Sequence, residues 1–335
     1  MLSMLLEQSA PAEQSPLVLR ELPVPTPRLG ELRVKVLTCG LCHTDLHTVE
    51  GDLPPHKRPV VPGHQIVGIV DQLGSGVTAH KAGDRIGIPW LHSTDGTCEF
   101  CRRGLENLCP NATFTGYDVD GGYAEYAVVP ADFCYPIPKI FTDDHAAPLL
   151  CAGIIGYRSY RLSGIRPGEN LGLYGFGASA HLVIQLARHH KCNAFVFTRG
   201  EEHQAYAREL GAVWTGRAED TPPGPLHSAI IFAPAGVLVR EALRVLHKAG
   251  TLALAGITMS EIPPLDYGLL YHEKIVRSVA NSTRQDAREF LELAAEVPLK
   301  TEVEIFDLAQ ANQALQALKK SAIRGAGVLR VSAAK

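Results

Sequence analysis

Hydrophobic and polar positions alternate differently in the two halves of the chain. Up to about residue 150, short β-type runs are separated by Gly, Pro and other turn residues, and four of them are predicted strands, at 31–37, 66–73, 85–88 and 123–129. Runs of this kind, bounded by turn residues, are typical of an irregular and mostly β domain.

Beyond Cys151, strand-like runs alternate with apolar-periodic helices. The pattern predicts strands at 170–174, 194–197, 229–232 and 251–255 and helices at 180–189, 202–210 and 237–246. This alternation predicts βαβ units and a doubly wound parallel sheet, and therefore an α/β fold class. A tail from about residue 281, with helices at 286–295 and 308–319 and a strand at 327–331, breaks the alternation and is expected to return to the first domain.

Length and charge narrow the class of protein. The 335 residues exceed the usual size of one domain, so two cores are expected. The net charge of -3 offers no basic excess for a nucleic-acid partner. No segment has the pattern of a signal peptide or the length of a membrane span, so a cytoplasmic protein with no membrane partner is expected. The eight cysteines are then expected to be reduced, and their clustering indicates metal binding.

A glycine-rich turn connects the first predicted strand of the parallel sheet to its helix. Its residues have the form G-x-G-x-x-A: Gly175, Phe176, Gly177, Ala178, Ser179 and Ala180. Between a strand and a helix, such a turn lets the backbone approach a pyrophosphate at the helix N-terminus. We interpret it as a dinucleotide-binding turn.

The tip of the next predicted strand indicates which dinucleotide is bound. NAD enzymes place a carboxylate there for the ribose hydroxyls, whereas this tip reads Thr198-Arg199-Gly200. A hydroxyl beside a guanidinium can bind a 2′-phosphate, so NADP is favoured over NAD. Glu201 and Glu202 are close enough to restore an acid by a small shift of the loop, and the NAD alternative stays open.

Two groups of side chains have the composition of zinc sites. In the first, Cys42 and His64 supply a thiolate and an imidazole, and Asp45 is placed to orient the imidazole. The second is a compact loop of four candidate ligands, expected to close a structural site: Asp95, Cys98, Cys101 and Cys109.

Seven segments in order resemble the zinc-dependent medium-chain alcohol dehydrogenase family: 42–47, 61–64, 82–85, 98–109, 121–126, 150–153 and the nucleotide turn. The resemblance implies a GroES-like, mostly β catalytic domain formed by residues 1–151 and 282–335, and a Rossmann NAD(P)-binding domain formed by residues 152–281. It also implies that the substrate lies in the cleft between them. The implied activity is reversible hydride transfer between an alcohol and a nicotinamide cofactor, with zinc as a Lewis acid.

The resemblance also implies individual roles. The catalytic zinc ligands would be Cys42, His64 and Cys151. Further residues implied at the site are Thr44 and His47 for proton transfer, His43 near the cofactor pyrophosphate, and Trp90 narrowing the pocket for small primary alcohols. From the geometry of the parallel sheet, Ala233 and Pro234 are expected beside the nicotinamide ring.

Two positions depart from the family pattern. Gln65 stands where Glu usually follows the ligand histidine, and we hypothesise that it alters zinc-ligand exchange or the pKa of the bound oxygen. Asp95 stands where the first structural ligand is usually Cys. Since a carboxylate is an acceptable zinc ligand, we expect two zinc ions per chain, one catalytic and one structural.

Alternatives remain open at this point. One is a zinc-free quinone or enoyl reductase of the same fold, and another is a non-catalytic redox or zinc sensor that binds nucleotide. The substrate is expected to be a small primary or aromatic alcohol and its aldehyde or ketone. The family resemblance implies a homo-oligomer, either dimer or tetramer.

Overall fold

A computed structural model describes residues 1–332 of the chain, which form two compact units. The first unit comprises residues 1–152, 282–295 and 300–332, and the second comprises residues 153–281 and 296–299. Residues 333–335, which the sequence prediction assigned to the catalytic domain, lie outside the described residues. Within residues 1–332, no helix combines the length and apolar character needed to cross a bilayer.

The first unit is built mainly from short strands. In chain order its first 151 residues form β1 Leu2–Leu6, β2 Leu17–Glu21, β3 Glu31–Gly40, α1 His43–Glu50, β4 Gln65–Leu73, β5 Arg85–Ile88, β6 Leu91–Ser93, α2 Glu99–Arg102, β7 Thr113–Phe114, β8 Tyr126–Pro130, β9 Tyr135–Pro136 and α3 Asp143–Ala146. Short 3-10 turns connect several of these elements.

The second unit alternates strands and helices as the periodicity predicts. Its elements are α4 Ala152–Ser163, β10 Asn170–Tyr174, α5 Ala178–His189, β11 Asn193–Phe197, α6 Glu201–Glu209, β12 Trp214–Gly216, β13 Leu226–Ile231, α7 Val237–Val245, β14 Leu246–Leu254 and β15 Ile275–Ser278. The tail adds α8 Arg284–Glu296, β16 Val303–Asp307, α9 Ala311–Lys319 and β17 Ala326–Arg330.

The main sheet of the first unit is largely antiparallel and incorporates the tail. Its strand order is β16-β17-β3-β4-β5-β9, with β8 also paired to β3. β17 pairs antiparallel with β3, with Val328 opposite Gly40. Along β3 the inward positions Leu32, Val34 and Val36 are fully buried, as the two-residue period of a half-buried strand requires. The tail therefore completes the sheet whose strands β3 and β4 adjoin Cys42 and His64, two of the predicted zinc ligands.

In the first unit, the strand predicted at 123–129 begins later in the structure. It is a strand only from Tyr126, because the residues before it also bond to β1. Met4 N donates to Tyr123 O (2.8 Å) and Glu125 N donates to Leu2 O (3.1 Å). Along the chain the partner therefore changes from β1 to β3, and local residue type does not reveal this change.

The sheet of the second unit is parallel throughout, with strand order β12-β11-β10-β13-β14-β15. In sequence terms the order is 3-2-1-4-5-6, the doubly wound arrangement of dinucleotide-binding folds. Leu171 and Leu173 face α5 and α6 on one side, while Tyr174 faces the α7 side. Helix α7 passes directly into β14 at Leu246, five residues earlier than the predicted strand, because Leu246 already pairs with Leu226.

Candidate active site and cofactor turn

Three side chains from distant segments meet in the first unit. Cys42 follows β3 and begins α1, His64 immediately precedes β4, and Cys151 precedes α4. Since β3 and β4 are paired with Gly40 opposite Gln65, the ends of these strands bring Cys42 and His64 together. Cys42 Sγ lies 3.2 Å from His64 Nε2 and 3.9 Å from Cys151 Sγ.

The geometry of this group fits a zinc ion. Its three ligand atoms all lie within 4.8 Å of one another. Two thiolates on a tetrahedral zinc at a Zn–S distance of ~2.3 Å are separated by about 3.8 Å, close to the separation found here between Cys42 and Cys151. The same separation is far longer than a disulfide bond of ~2.05 Å. Two thiols and an imidazole could therefore hold zinc and leave a fourth position open.

Asp45 holds two of these groups in place. Its Oδ1 lies 3.0 Å from His64 Nδ1, and its Oδ2 accepts a hydrogen bond from Cys42 N (2.9 Å). Both partners of the carboxylate–imidazole pair are almost fully buried. With Nδ1 engaged by the carboxylate, Nε2 is the nitrogen of His64 that remains for a metal.

Charges within the group compensate for its burial. The Cys151 thiol and the positive His64 ring lower the pKa of Cys42 well below its usual range. Burial lowers the pKa of His64, but Asp45 and Cys42 outweigh it and raise that pKa to about 10. The group is thus polarised towards a thiolate at Cys42, the form that binds metal.

Gly63 allows His64 to enter the site. Its φ of +99° lies in the left-handed region, and a Cβ there would stand 2.4 Å from Cδ1 of Tyr123. The Tyr123 ring is fully buried and fills this space. Tyr123 is a site residue that the sequence analysis did not single out, although it lies in the segment 121–126 that carries the family resemblance.

Thr44 and His47 lie on α1, directly after Cys42. Thr44 is nearly buried, and its backbone N donates to Cys42 Sγ (3.3 Å). His47 Nδ1 lies 3.1 Å from Asp52 Oδ2, and the Asp52 side chain is 61% exposed. Asp52 was missed from the sequence, where Gly51 at the end of α1 signals that the chain turns back towards His47.

Trp90 is part of an aromatic group beside the ligand histidine. Its ring centroid lies 4.8 Å from that of His64 in an edge-to-face arrangement. Phe114 stacks on Trp90 at 5.2 Å, and Tyr117 lies 5.7 Å from it. Phe114 and Tyr117 were not identified from the sequence, because a strand and a turn far along the chain carry them to Trp90.

Gln65 is buried next to His64, with 1% of its surface exposed. Its Nε2 has no hydrogen-bond partner within residues 1–332. A buried amide donor left unpaired costs free energy, so this position is not explained by packing alone.

The second metal-type group is a single loop. Asp95, Cys98, Cys101 and Cys109 offer ligand atoms within 4.8 Å of one another. Asp95 Oδ1 accepts hydrogen bonds from Thr97 N (2.8 Å) and Cys98 N (2.9 Å), and its Oδ2 accepts one from Asn111 (2.9 Å). The Cys98 N–H and the Asn111 side chain hold the pKa of Asp95 well below its usual range, so this carboxylate is ionised as a ligand must be.

The glycine-rich turn lies in the second unit at the carboxyl end of β10. Gly175 has a φ of +85°, and a Cβ there would stand 3.0 Å from Ala233. A Cβ at Gly177 would meet nothing within 4 Å, so the backbone faces open space. Gly177 is also the N-cap of α5 and has no side chain to cap it, which leaves the first N–H groups of the helix available to an anion.

The predicted ribose-binding residues lie at the carboxyl end of β11. Thr198 is half-buried, and Gln204 Nε2 donates to its carbonyl oxygen (3.0 Å). Arg199 is exposed. Ala233 and Pro234 follow β13, the other neighbour of β10, and Ala233 N donates to Tyr174 O (3.3 Å). The nucleotide-type residues of the second unit therefore share one edge of its sheet.

Comparison with known proteins agrees with this geometry. The model of the alcohol dehydrogenase GroES-like domain matches residues 28–139, and the model of the zinc-binding dehydrogenase domain matches residues 180–296. A Mycobacterium tuberculosis protein named "Probable alcohol dehydrogenase AdhA" is 47% identical over 325 residues, which cover 95% of this chain and 94% of that protein. The chain belongs to the zinc-dependent medium-chain alcohol dehydrogenase family.

Other relatives of this alcohol dehydrogenase family support the same assignment. An alcohol dehydrogenase of Geobacillus stearothermophilus is 37% identical over 95% of this chain and 97% of its own length. The solved structure of a cinnamyl alcohol dehydrogenase from Sorghum bicolor has a TM-score of 0.89 and 28% identity, covering 100% of this chain and 98% of that one. The predicted fold class, GroES-like plus Rossmann, is confirmed, and so is the predicted class of zinc-dependent alcohol dehydrogenase that uses a nicotinamide cofactor.

Proposed function

We propose that this zinc-dependent alcohol dehydrogenase interconverts small primary or aromatic alcohols and their aldehydes, with Cys42, His64 and Cys151 as the ligands of the catalytic zinc. The observation that carries the proposal is the convergence of two thiols and one imidazole within 4.8 Å. When bound, zinc supplies Lewis acidity towards an alcohol or carbonyl oxygen, because three protein ligands leave one tetrahedral position open.

The chain's own residues would then position the ligands and move the proton. Asp45 fixes the His64 ring through Nδ1 and positions the Cys42 backbone. Thr44 holds the substrate hydroxyl, and His47 accepts the proton that leaves it. Since His47 Nδ1 is joined to exposed Asp52, the imidazole has a carboxylate link to solvent.

The aromatic group supports the proposed substrate class. Trp90, flanked by Phe114 and Tyr117, forms an aromatic, apolar surface next to His64. A surface of this kind accepts a planar ring or a short alkyl chain, and it favours aromatic partners by stacking.

The second unit is proposed to be the nucleotide-binding domain, and the first the catalytic domain. The turn Gly175, Phe176, Gly177, Ala178 and Ser179 would hold the pyrophosphate, and Ala233 and Pro234 would lie beside the nicotinamide. Thr198 and Arg199 would bind a 2′-phosphate, which makes NADP(H) the preferred cofactor. His43, exposed at the first turn of α1, is proposed as a further cofactor contact.

A second zinc ion is proposed at Asp95, Cys98, Cys101 and Cys109. The four ligand atoms are supplied within one short loop, and four protein ligands leave no open position. This site would stabilise the loop without taking part in the reaction.

We further propose that the protein is cytoplasmic and forms a homo-oligomer. All eight cysteines are free, as expected in a reducing compartment. β15 is the last strand of the six-stranded sheet, and its Ile275 is 52% exposed, which suits burial against a second copy.

The test is the initial rate of aldehyde-dependent oxidation of NADPH and of NADH, measured side by side. A short aliphatic aldehyde and benzaldehyde would each be used with and without a zinc chelator. We expect chelator-sensitive turnover with both aldehydes and a kcat/KM for NADPH at least about tenfold above that for NADH. No turnover in zinc-containing protein would favour a sensor, turnover that survives zinc removal would favour a zinc-free reductase, and faster oxidation of NADH would contradict the cofactor assignment.

A further inference from the structure

Strand β12 ends next to Thr198 and Arg199, the residues predicted to bind the ribose at the end of β11. β12 is the outermost strand of the parallel sheet, next to β11, and Phe197 is paired with Gly216. Beyond the strands the contact continues, since Thr198 N donates to Gly216 O (2.9 Å). Neighbouring strands lie ~4.8 Å apart, so Arg199 and Arg217 leave the sheet at adjacent positions on the same edge.

The order of the strands sets the direction in which a cofactor would extend. The pyrophosphate turn follows β10, the ribose-binding tip follows β11, and β12 comes next. A group attached to the ribose on the side away from the pyrophosphate would therefore approach the end of β12. The 2′-phosphate of NADP is such a group, and NAD has none.

The guanidinium of Arg217 is not used by the fold. It is exposed, and it has no hydrogen bond or ion pair to any side chain or carbonyl within residues 1–332. Other arginines nearby are engaged: Arg208 donates to Thr215 Oγ1, and Arg244 donates to the carbonyl oxygens of Glu219 and Asp220.

The backbone of Arg217 is held firmly even though its side chain is free. Its N–H donates to Asp220 Oδ2 (2.7 Å), which fixes the turn after β12. The Asp220 carboxylate is thereby committed to the backbone. A fixed backbone with a free guanidinium is a suitable arrangement for binding an anion.

Acidic side chains follow the tips of both strands, and their charge favours a second cation at a phosphate bound there. Glu201 and Glu202 begin α6 directly after the β11 tip, and Glu219 and Asp220 follow Arg217. These carboxylates repel a phosphate dianion, and one arginine offsets only part of that repulsion. Two guanidinium groups provide the charge and the paired donors that a phosphate requires.

We propose that Arg217 binds the 2′-phosphate of NADP(H) together with Arg199, so that the phosphate is held between the ends of β11 and β12. This inference rests on the proposed preference for NADP. It adds a specificity-determining residue outside the segment that the dinucleotide pattern identifies.

The test is the equilibrium dissociation constant, measured by titration of NADPH and of NADH into the zinc-loaded protein without substrate. The variants are Arg217→Gln, Arg217→Lys and Arg199→Gln. The matched control is Arg166→Gln, because Arg166 is exposed and precedes β10 at the opposite, amino end of the sheet. Adenosine 2′,5′-bisphosphate and adenosine 5′-monophosphate would be titrated as fragments that report on the 2′-phosphate alone.

We expect Arg217→Gln to raise the dissociation constants of NADPH and adenosine 2′,5′-bisphosphate about tenfold or more. Those of NADH and adenosine 5′-monophosphate should stay within about twofold of the wild-type values. Arg217→Lys, which keeps the charge and loses the paired donors, should fall between Gln and wild type. If wild type and Arg199→Gln show the NADPH preference and its loss, while Arg217→Gln behaves like Arg166→Gln, the role of Arg217 is refuted and the NADP assignment survives. If wild type binds NADPH no more tightly than NADH, both proposals are overturned.

Discussion

The two metal-type groups of the first unit are built in opposite ways. Cys42, His64 and Cys151 come from three segments more than a hundred residues apart at their extremes, and the strands β3 and β4 bring two of them together. The group from Asp95 to Cys109 is assembled within one loop by local hydrogen bonds. The first group offers three protein ligands, which would leave one tetrahedral position open. The loop offers four, which would leave none. The difference predicts that one group carries out chemistry and the other provides stability.

The largest expected effect comes from removing a ligand of the first group. Cys42→Ser should lower kcat/KM by about 10³-fold or more, because Lewis-acid stabilisation is worth several kcal/mol. It should also remove one of the two zinc ions that we propose for each chain. Cys192→Ser is the matched control, a buried cysteine of the other unit, and should leave both values unchanged. Equal losses of kcat/KM and zinc in Cys42→Ser and Cys192→Ser would contradict the assignment of Cys42 as a zinc ligand.

A ligand change in the loop should have the reverse outcome. Cys98→Ser should lower the free energy of unfolding by about 3 kcal/mol or more, since metal binding contributes directly to folding. The melting temperature should fall by roughly 6 to 12 °C. At 25 °C the folded variant should keep most of its kcat. If Cys98→Ser were as stable as the wild type but inactive, the loop would take part in the reaction, contrary to this prediction.

Buried His92, on the strand between the two candidate metal sites in the sequence, predicts that acid lowers the stability of the protein. His92 lies on β6, between Trp90 and Asp95, and burial lowers its pKa from 6.5 to about 4, although Asp118 partly opposes the shift. The unfolded chain therefore binds this proton first, so the stability due to neutral His92 is complete above pH 6.5 and is lost as the pH falls towards 4. Between pH 7 and pH 5 the loss is about 2 kcal/mol.

Unfolding measured at pH 7 and pH 5 would check this prediction. His92→Leu should reduce the acid destabilisation by that amount, whereas a change at the exposed His272 should not. Identical pH dependence in wild type and His92→Leu would contradict the assignment.

The smallest expected effect concerns Gln65. Replacing it by Glu puts a negative charge beside His64, in a position that is almost fully buried. We expect kcat to change by a few-fold while zinc content stays at the wild-type value. Identical kinetics in the two proteins would show that the neutral amide has no role in the reaction.

Sequence patterns predicted most of the second unit and less of the first. The βαβ periodicity located β10 and α5 almost to the residue, because each element buries one regular face. It missed β12, which has only three residues, and with it Arg217. In the first unit, the ligand types were visible in the sequence, but the contact of Trp90 with Phe114 and that of Gly63 with Tyr123 depend on strand pairing, which local residue type does not encode.

The most direct test of the division between the two groups is the absorption spectrum of protein in which cobalt(II) replaces zinc. The d–d bands of cobalt report its ligands and coordination number. With cofactor bound, addition of a primary alcohol should shift these bands in the wild type and in Cys98→Ser, and should leave them unchanged in Cys42→Ser. A shift that persists in Cys42→Ser and disappears in Cys98→Ser would show that the open metal position belongs to the loop, and would contradict the account.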